Sequence, residues 1–267
     1  MKLSSLVSTE KTKLTDIRRS KLLEFVRTKG FAATQELFRI VEGSESTIRR
    51  DLEFFENLGE IKRTHGGVFY TGGEPKLPHF ERSQSQNIEK KREIARAAAN
   101  LVEEGDTILL DGGSTTFELA QQLAGRQLQV VTNSLPVSNL FIANHEADLV
   151  VLGGNVHLRT GTTIGPYASQ MLAELNCRVA FLSVAGIHED GFYNSNFLLV
   201  ETEKAMMNAA DEVVIIADST KFGKKSLARL CELSSVDKLV VDSDIDDDWK
   251  KRITDSGVKL FVSGGND

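Results

Sequence analysis

Apolar positions fall into two regimes along the chain. From Ile17, the set Ile17, Leu22, Leu23, Phe25 and Val26 recurs at helical spacing and stops at Lys29-Gly30, a pair suited to a helix end. Thr34 can cap a second helix carrying Leu37, Phe38 and Ile40, closed by Gly43. Ser44 can cap a third, in which Ile48, Leu52, Phe55 and Leu58 face inward at spacings of four, three and three before Gly59. Two strand patterns follow at 60–63 and 67–70, joined through Thr64-His65-Gly66 as a basic hairpin. Residues 1–15 show no such periodicity and are expected to be a flexible tail, which leaves 16–70 as one small domain.

Residues 71–87 contain Gly72, Gly73, Pro75 and Pro78 and then Ser83-Gln84-Ser85-Gln86, a composition that reads as a linker. Beyond it the period alternates. Helices are expected at 88–104, 116–123, 137–143, 167–175, 199–210 and 247–256, and strands at 107–110, 129–131, 149–152, 179–184, 212–217, 239–241 and 259–262. Runs such as Val213-Val214-Ile215-Ile216 are apolar on both faces, the mark of a parallel sheet covered by helices on each side, so 88–267 reads as an α/β domain.

Composition adds boundaries to this picture. The chain has 267 residues, 40% apolar and 26% charged, as an ordinary folded protein does. No stretch reaches the ~20 apolar residues of a membrane span, and Met1 to Lys13 lacks the apolar core of a signal peptide, so a cytoplasmic protein without membrane partners is expected. Cys177 and Cys231 are too far apart for a CxxC motif and are expected to be reduced and buried. The net charge of −6 conceals a division: residues 1–92 carry +5 and 93–267 carry −11. A basic amino-terminal module suits a polyanion that would repel the larger acidic half.

The third helix begins Ser44-Glu45-Ser46-Thr47-Ile48-Arg49-Arg50-Asp51-Leu52. With Ile48 and Leu52 packed inward, Ser46, Thr47, Arg49 and Arg50 occupy the other side, a face suited to a major groove and its phosphates. Lys62-Arg63-Thr64-His65 would sit beside it as a wing, with Gly66 and Gly67 allowing a tight turn. The run Ser44-x-x-Thr47-Ile48-Arg49-Arg50-Asp51-Leu52, continued by Leu58-Gly59-x-Ile61-x-Arg63-x-His65-Gly66-Gly67, resembles the winged helix-turn-helix signature of the DeoR family of bacterial transcription regulators. The resemblance implies DNA contacts from Thr47, Arg49, Arg50 and Arg63, with His65 and Gly66 in the wing; Ser44, Ser46 and Lys62 complete the expected interface.

In the α/β half, several expected strands end in small polar residues. These are Asp111-Gly112-Gly113-Ser114-Thr115-Thr116, Thr132-Asn133-Ser134, Gly153-Gly154-Asn155 and Asp218-Ser219-Thr220-Lys221. In a parallel sheet such ends share one edge, where glycine amides, hydroxyls and a helix amino terminus can cradle an anion. Lys221 could supply a point charge for a phosphate, while Asp111, Asn133 and Asp218 bind hydroxyls. No GxGxxG follows a strand, and Gly186 to Gly191 has P-loop glycine spacing but continues Phe192-Tyr193, so nucleotide readings fail and no cofactor is expected. His145, His157 and His188 lack metal-ligand spacing.

This half also resembles the effector domain of the same family, through Lys90-Lys91-x-x-Ile94-Ala95, the strand ends above, Gly165, Glu201 with Lys204, and Asp218-Ser219-Thr220-Lys221-Phe222-Gly223. The resemblance implies a fold related to ribose-5-phosphate isomerases and coenzyme A transferases and a phosphorylated sugar as effector. Its phosphate would lie on Gly113, Ser114, Thr115, Thr116 and Lys221. The expected function is a repressor of a carbohydrate catabolic operon, a dimer or tetramer on operator DNA, whose affinity the effector changes. The competing reading is a sugar-phosphate isomerase with Asp111, Asp218 or Glu201 as general base. A third, an architectural DNA binder, leaves the acidic half idle.

Overall fold

The computed structural model describes residues 3–64, 66–71 and 77–264, and the chain forms two compact units, Met1–Lys76 and Leu77–Asp267.

The first unit begins with α1 (Leu3–Lys29), so residues 3–15 are helical where a tail was expected. Neither glycine nor proline interrupts the chain before Gly30, and a helix nucleated where Leu22 and Val26 are buried extends backward at little cost per residue. Next comes a strand that the pattern did not announce, β1 (Phe31–Ala33), followed by α2 (Thr34–Ile40). Pairing in β1 holds Ala33 extended, so Ala33 rather than Thr34 takes the cap position, and the Glu36 carboxylate accepts its amide at 3.1 Å. The third helix, α3 (Glu45–Asn57), leads into β2 (Ile61–Arg63) and β3 (Gly67–Tyr70), in a sheet ordered β1-β3-β2. Leu22, Val26, Leu37, Ile48, Leu52, Phe55, Ile61 and Val68 form the core. Ile17 and Leu58, expected inside, are 50% and 60% exposed; α3 stops at Asn57, before Leu58 can turn inward. Gly67 is required by close approach: a Cβ there would lie 2.4 Å from the Ala32 carbonyl on the neighbouring strand.

The second unit opens with α4 (Pro78–Ser85), a helix inside the segment read as linker. Its one buried aromatic, Phe80, meets Phe117 edge-on at 5.5 Å, an anchor too isolated among polar residues to give a periodic signal. Then follow α5 (Ile88–Ala99), β4 (Thr107–Leu110), α6 (Ser114–Leu123), β5 (Gln129–Thr132), α7 (Leu135–Asn144), β6 (Asp148–Val151), β7 (Asn155–His157), β8 (Thr162–Ile164) and α8 (Pro166–Leu172). The chain continues through β9 (Cys177–Leu182), β10 (Gly186–His188), β11 (Gly191–Asn194), α9 (Phe197–Asn208), β12 (Ala210–Ile216), β13 (Ala228–Cys231), β14 (Lys238–Val241), α10 (Asp247–Asp255) and β15 (Lys259–Val262).

Seven of these strands make one parallel sheet in the order β15-β14-β12-β9-β4-β5-β6. Both faces are apolar: Val213 and Ile215 belong to one core cluster, Val214 and Ile216 to the other. The pairs β7-β8 and β10-β11-β13 are antiparallel additions that the helix-strand alternation had concealed. Both cysteines are free; Cys177 is buried and Cys231 only half-buried. None of the described helices is long and apolar enough to cross a membrane.

Candidate functional site

In the first unit, α3 separates its two faces sharply. Ser44 caps it, its hydroxyl accepting the Thr47 amide at 3.2 Å and lying 2.9 Å from the Ser46 hydroxyl and 2.8 Å from that of Thr47. Asp51, adjacent to two arginines in sequence, pairs with neither; it is buried and accepts from Arg18 Nε at 2.7 Å and Arg19 Nε at 2.8 Å of α1. Arg49 and Arg50 are therefore left exposed and, among the described residues, without an ion pair. Ser46, Lys62, Arg63 and Gly66 are exposed as well and Thr47 partly so. Arg63 is steadied by Glu56, whose carboxylate accepts the Arg63 amide at 2.9 Å. His65 lies outside the described residues. The result is a cationic helix face beside a basic hairpin, able to meet phosphates and base edges.

In the second unit, the ends of β4, β5, β9 and β12 place Asp111, Thr132-Asn133-Ser134, Ser183 and Asp218 on one edge of the sheet. The turn after β4 is pressed tight. A Cβ on Gly112 would lie 1.9 Å from Thr162 Cγ2, and one on Gly113 1.6 Å from Ser183 Oγ, so only glycine admits β8 and the β9 end this close. Helix α6 then starts with no side-chain cap, as do α4, α5 and α8, whereas α3, α7, α9 and α10 have one. The first-turn amides of such a helix carry partial positive charge and are open to an anion. Gly113 and Ser114 are half-exposed there.

The other residues of this edge divide by what already occupies them. Thr116 donates to the Gly113 carbonyl at 2.7 Å, Thr132 to the Leu110 carbonyl at 2.7 Å, and Ser134 caps α7, so these hydroxyls and the buried Thr115 build the frame. Gly153 and Gly154 are exposed and lead into the β7-β8 hairpin, where the Gly154 backbone passes close to Ile164. In contrast, Asn133 Oδ1 and Asp218 Oδ2 are buried acceptors with no hydrogen-bond partner among the described residues. Buried acceptors of this kind are costly unless something fills them. Lys221, in the turn after β12, is half-exposed and has no ion pair among the described residues.

Asp111 does not face outward. Its carboxylate accepts the Ser183 amide at 3.2 Å and hydroxyl at 2.9 Å, and the Gly112 and Gly113 amides also point to it. Burial pushes its pKa up, and those hydrogen bonds oppose the rise. Nearby stands a residue that sequence reading missed. Glu203 on α9 is fully buried, accepts from Asn194 Nδ2 at 2.6 Å, and keeps Oε2 without a partner among the described residues. Burial, and then the Asp111 charge, hold its pKa well above the usual carboxylate value. Glu201, the residue first considered as a base, is 49% exposed and lies 3.7 Å from Lys204; two residues turn a helix by about 200°, so Glu201 and Glu203 face opposite ways.

Lys91 is the second residue missed as part of the site. It sits on α5, 3% exposed, close enough to Asp218, Lys221 and Glu118 for each to influence it, with burial lowering its pKa most. An i, i+3 and i+4 reading marks it, since Lys91 falls on the same helix face as Ile94 and Ala95, both fully buried. A cavity of about 290 Å³ lies at the opposite end of the sheet, lined by Val131, Val150, Leu175 and Cys177, with no cationic side chain.

Two family profiles match: the DeoR-like helix-turn-helix domain over residues 18–71 and the DeoR C terminal sensor domain over 86–243. The chain is 31% identical over 245 residues to the uncharacterized HTH-type transcriptional regulator YulB of Bacillus subtilis (strain 168), covering 91% of this chain and 95% of that protein. It is 30% identical over 248 residues to the HTH-type transcriptional regulator GolR of Listeria innocua serovar 6a, covering 92% and 98%. Among solved structures, ribose 5-phosphate isomerase A from Methanocaldococcus jannaschii aligns with a TM-score of 0.37 at 19% identity, over 51% of this chain and 55% of that one. YulB and GolR are named as regulators of transcription, not as enzymes. With a DNA-binding module and a sensor module both matched in chain order, this protein belongs to the DeoR family of transcriptional regulators.

Proposed function

We propose that the protein is a repressor of a carbohydrate catabolic operon whose grip on its operator changes when a phosphorylated sugar fills the edge of the parallel sheet. The observation that carries this reading is a pairing of opposite needs at one place. The start of α6 has no side-chain cap, and Lys221 and Lys91 form no ion pair among the described residues, while Asn133 Oδ1 and Asp218 Oδ2 lack donors. A molecule with a phosphate at one end and hydroxyls at the other supplies both. In this reading the Ser114 hydroxyl and the main-chain amides of Ser114, Thr115 and Thr116 hold the phosphate with Lys221, and Gly113 lets the chain turn tightly into that helix start. Asn133 and Asp218 accept from hydroxyls, and Asp111, Gly112, Thr132, Ser134, Gly153 and Gly154 shape the site.

On the other unit, Ser46, Thr47, Arg49, Arg50, Lys62, Arg63, His65 and Gly66 meet operator DNA, with Ser44 fixing the start of the reading helix. A palindromic operator would engage two such units, hence a homo-oligomer. The test is a thermal-shift screen of sugar phosphates followed by gel shift on the protein's own promoter. Binding to the folded state alone raises the midpoint by mass action. A phosphorylated sugar that both raises it and alters the gel shift supports the proposal. A complete panel that does neither overturns it.

A further inference from the structure

Two adjacent lysines of α5 have contrasting partners. Lys90 is neutralised, its ammonium 3.0 Å from Asp242 and 2.7 Å from Asp244. Lys91 is far more buried, yet its hydrogen bond goes to a neutral group, the Ser83 main-chain carbonyl at 2.5 Å; the Asp218 and Glu118 carboxylates are near enough to influence it, but neither forms an ion pair with it. A buried ammonium held by a dipole instead of a carboxylate is incompletely compensated and favours any anion that can reach it.

Ser83 belongs to the last turn of α4, and residues 83–87, which lead from that turn into the start of α5, cover other parts of the edge. The Ser83 hydroxyl lies 3.2 Å from that of Ser114, the first residue of α6. Gln84 Nε2 reaches Glu118 at 3.4 Å. Asn87, with a left-handed backbone at φ 53°, donates to Asp218 Oδ1 at 3.4 Å and to Thr220 Oγ1 at 3.4 Å. In the chain, α4 is also the first element after the segment that leads from β3 of the DNA-binding unit.

We propose that Lys91 is a further anion-binding residue of the sensor site and that the end of α4 is its resident stopper, displaced when an anion arrives. The entering phosphate takes the Lys91 ammonium and the Ser114 hydroxyl from Ser83. The contacts that seat residues 83–87 are then lost, and the start of the sensor unit is released at the point where it continues into the DNA-binding unit. This inference rests on the proposed sensor site and assigns it both a cation and a mechanical output.

Hydrogen exchange on the full-length protein, with and without inorganic phosphate, tests both layers separately. Slower exchange of the amides at 113–116 together with faster exchange at 80–87 is the expected result. Slower exchange at 113–116 with unchanged or slower exchange at 80–87 overturns the stopper while leaving the sensor site standing. No change at 113–116 sinks the sensor reading, and this inference with it. In Lys91→Met, the phosphate concentration giving half the effect at 113–116 should rise by about tenfold or more, the scale of a lost charged hydrogen bond. Lys91→Arg, which keeps the charge, guards against misfolding. A normal phosphate response in Lys91→Met, or an Arg variant that is folded by circular dichroism and as impaired as the Met variant, removes Lys91 from the site.

Discussion

Arg18 on α1 donates to Asp51 on α3 at 2.7 Å, and the receiving carboxylate side chain is only 3% exposed. This pair, with Arg19 on the other oxygen, ties α3 to α1 and withholds Asp51 from Arg49 and Arg50. Asp51→Ala should leave two partly buried guanidinium groups without their acceptor and destabilise the first unit by about 2 kcal/mol. Exchange of the α3 amides would report it, quickening roughly thirtyfold; unaltered exchange would mean the pair is idle.

Arg49→Ala and Arg50→Ala should each weaken operator binding by about 1–3 kcal/mol, because neither side chain has a structural partner to lose among the described residues. Gel shifts at two salt concentrations separate the contributions, since a phosphate contact also lowers the salt slope. Affinity equal to wild type in both variants would remove α3 as the reading helix.

Lys221→Ala should abolish the response to the sugar phosphate while DNA binding without effector persists. The side chain forms no ion pair among the described residues, so its loss costs the fold little. A variant that still responds at wild-type concentrations contradicts the assignment of the phosphate end.

Glu203 gives the protein a pH signature with a definite sign. Its folded pKa is raised, so the stability it contributes is complete below the ordinary value of 4.5 and is lost as pH rises toward the folded value. Asp111 acts in the same direction from 3.8, whereas the lowered pKa values of Asp106 and Asp242 act oppositely. Glu203→Gln isolates the contribution of this one residue. Urea midpoints of the variant should gain on wild type as pH is raised from 5 to 8; parallel curves would show that Glu203 carries no proton in the fold.

The sequence disclosed what depends on periodicity. Strands 107–110 and 259–262 were readable to the residue because continuous apolar runs between polar turns leave no alternative. Helix α3 was readable because Ser44 is a side-chain cap and Ile48, Leu52 and Phe55 share one face. What escaped has long-range causes. Strand β1 is three residues held by pairing with β3, and β8 is positioned by Thr163, whose amide donates to the Asn133 carbonyl at 2.7 Å across thirty residues of chain. Glu203 was passed over for Glu201 because a single helical turn carries both, and only the packing of α9 against the sheet decides which enters. Lys91 was visible as part of a doublet, but its burial depends on α4, in a stretch read as linker.

All seven strands of the large sheet run the same way, so their carboxyl ends, with the small polar residues that follow them, meet at one rim while the apolar strand interiors hold the scaffold. Under the proposed function, that layout would let descendants of such a protein exchange the metabolite they answer to by altering rim loops alone. Neither the sheet nor the promoter-reading module would have to be reinvented.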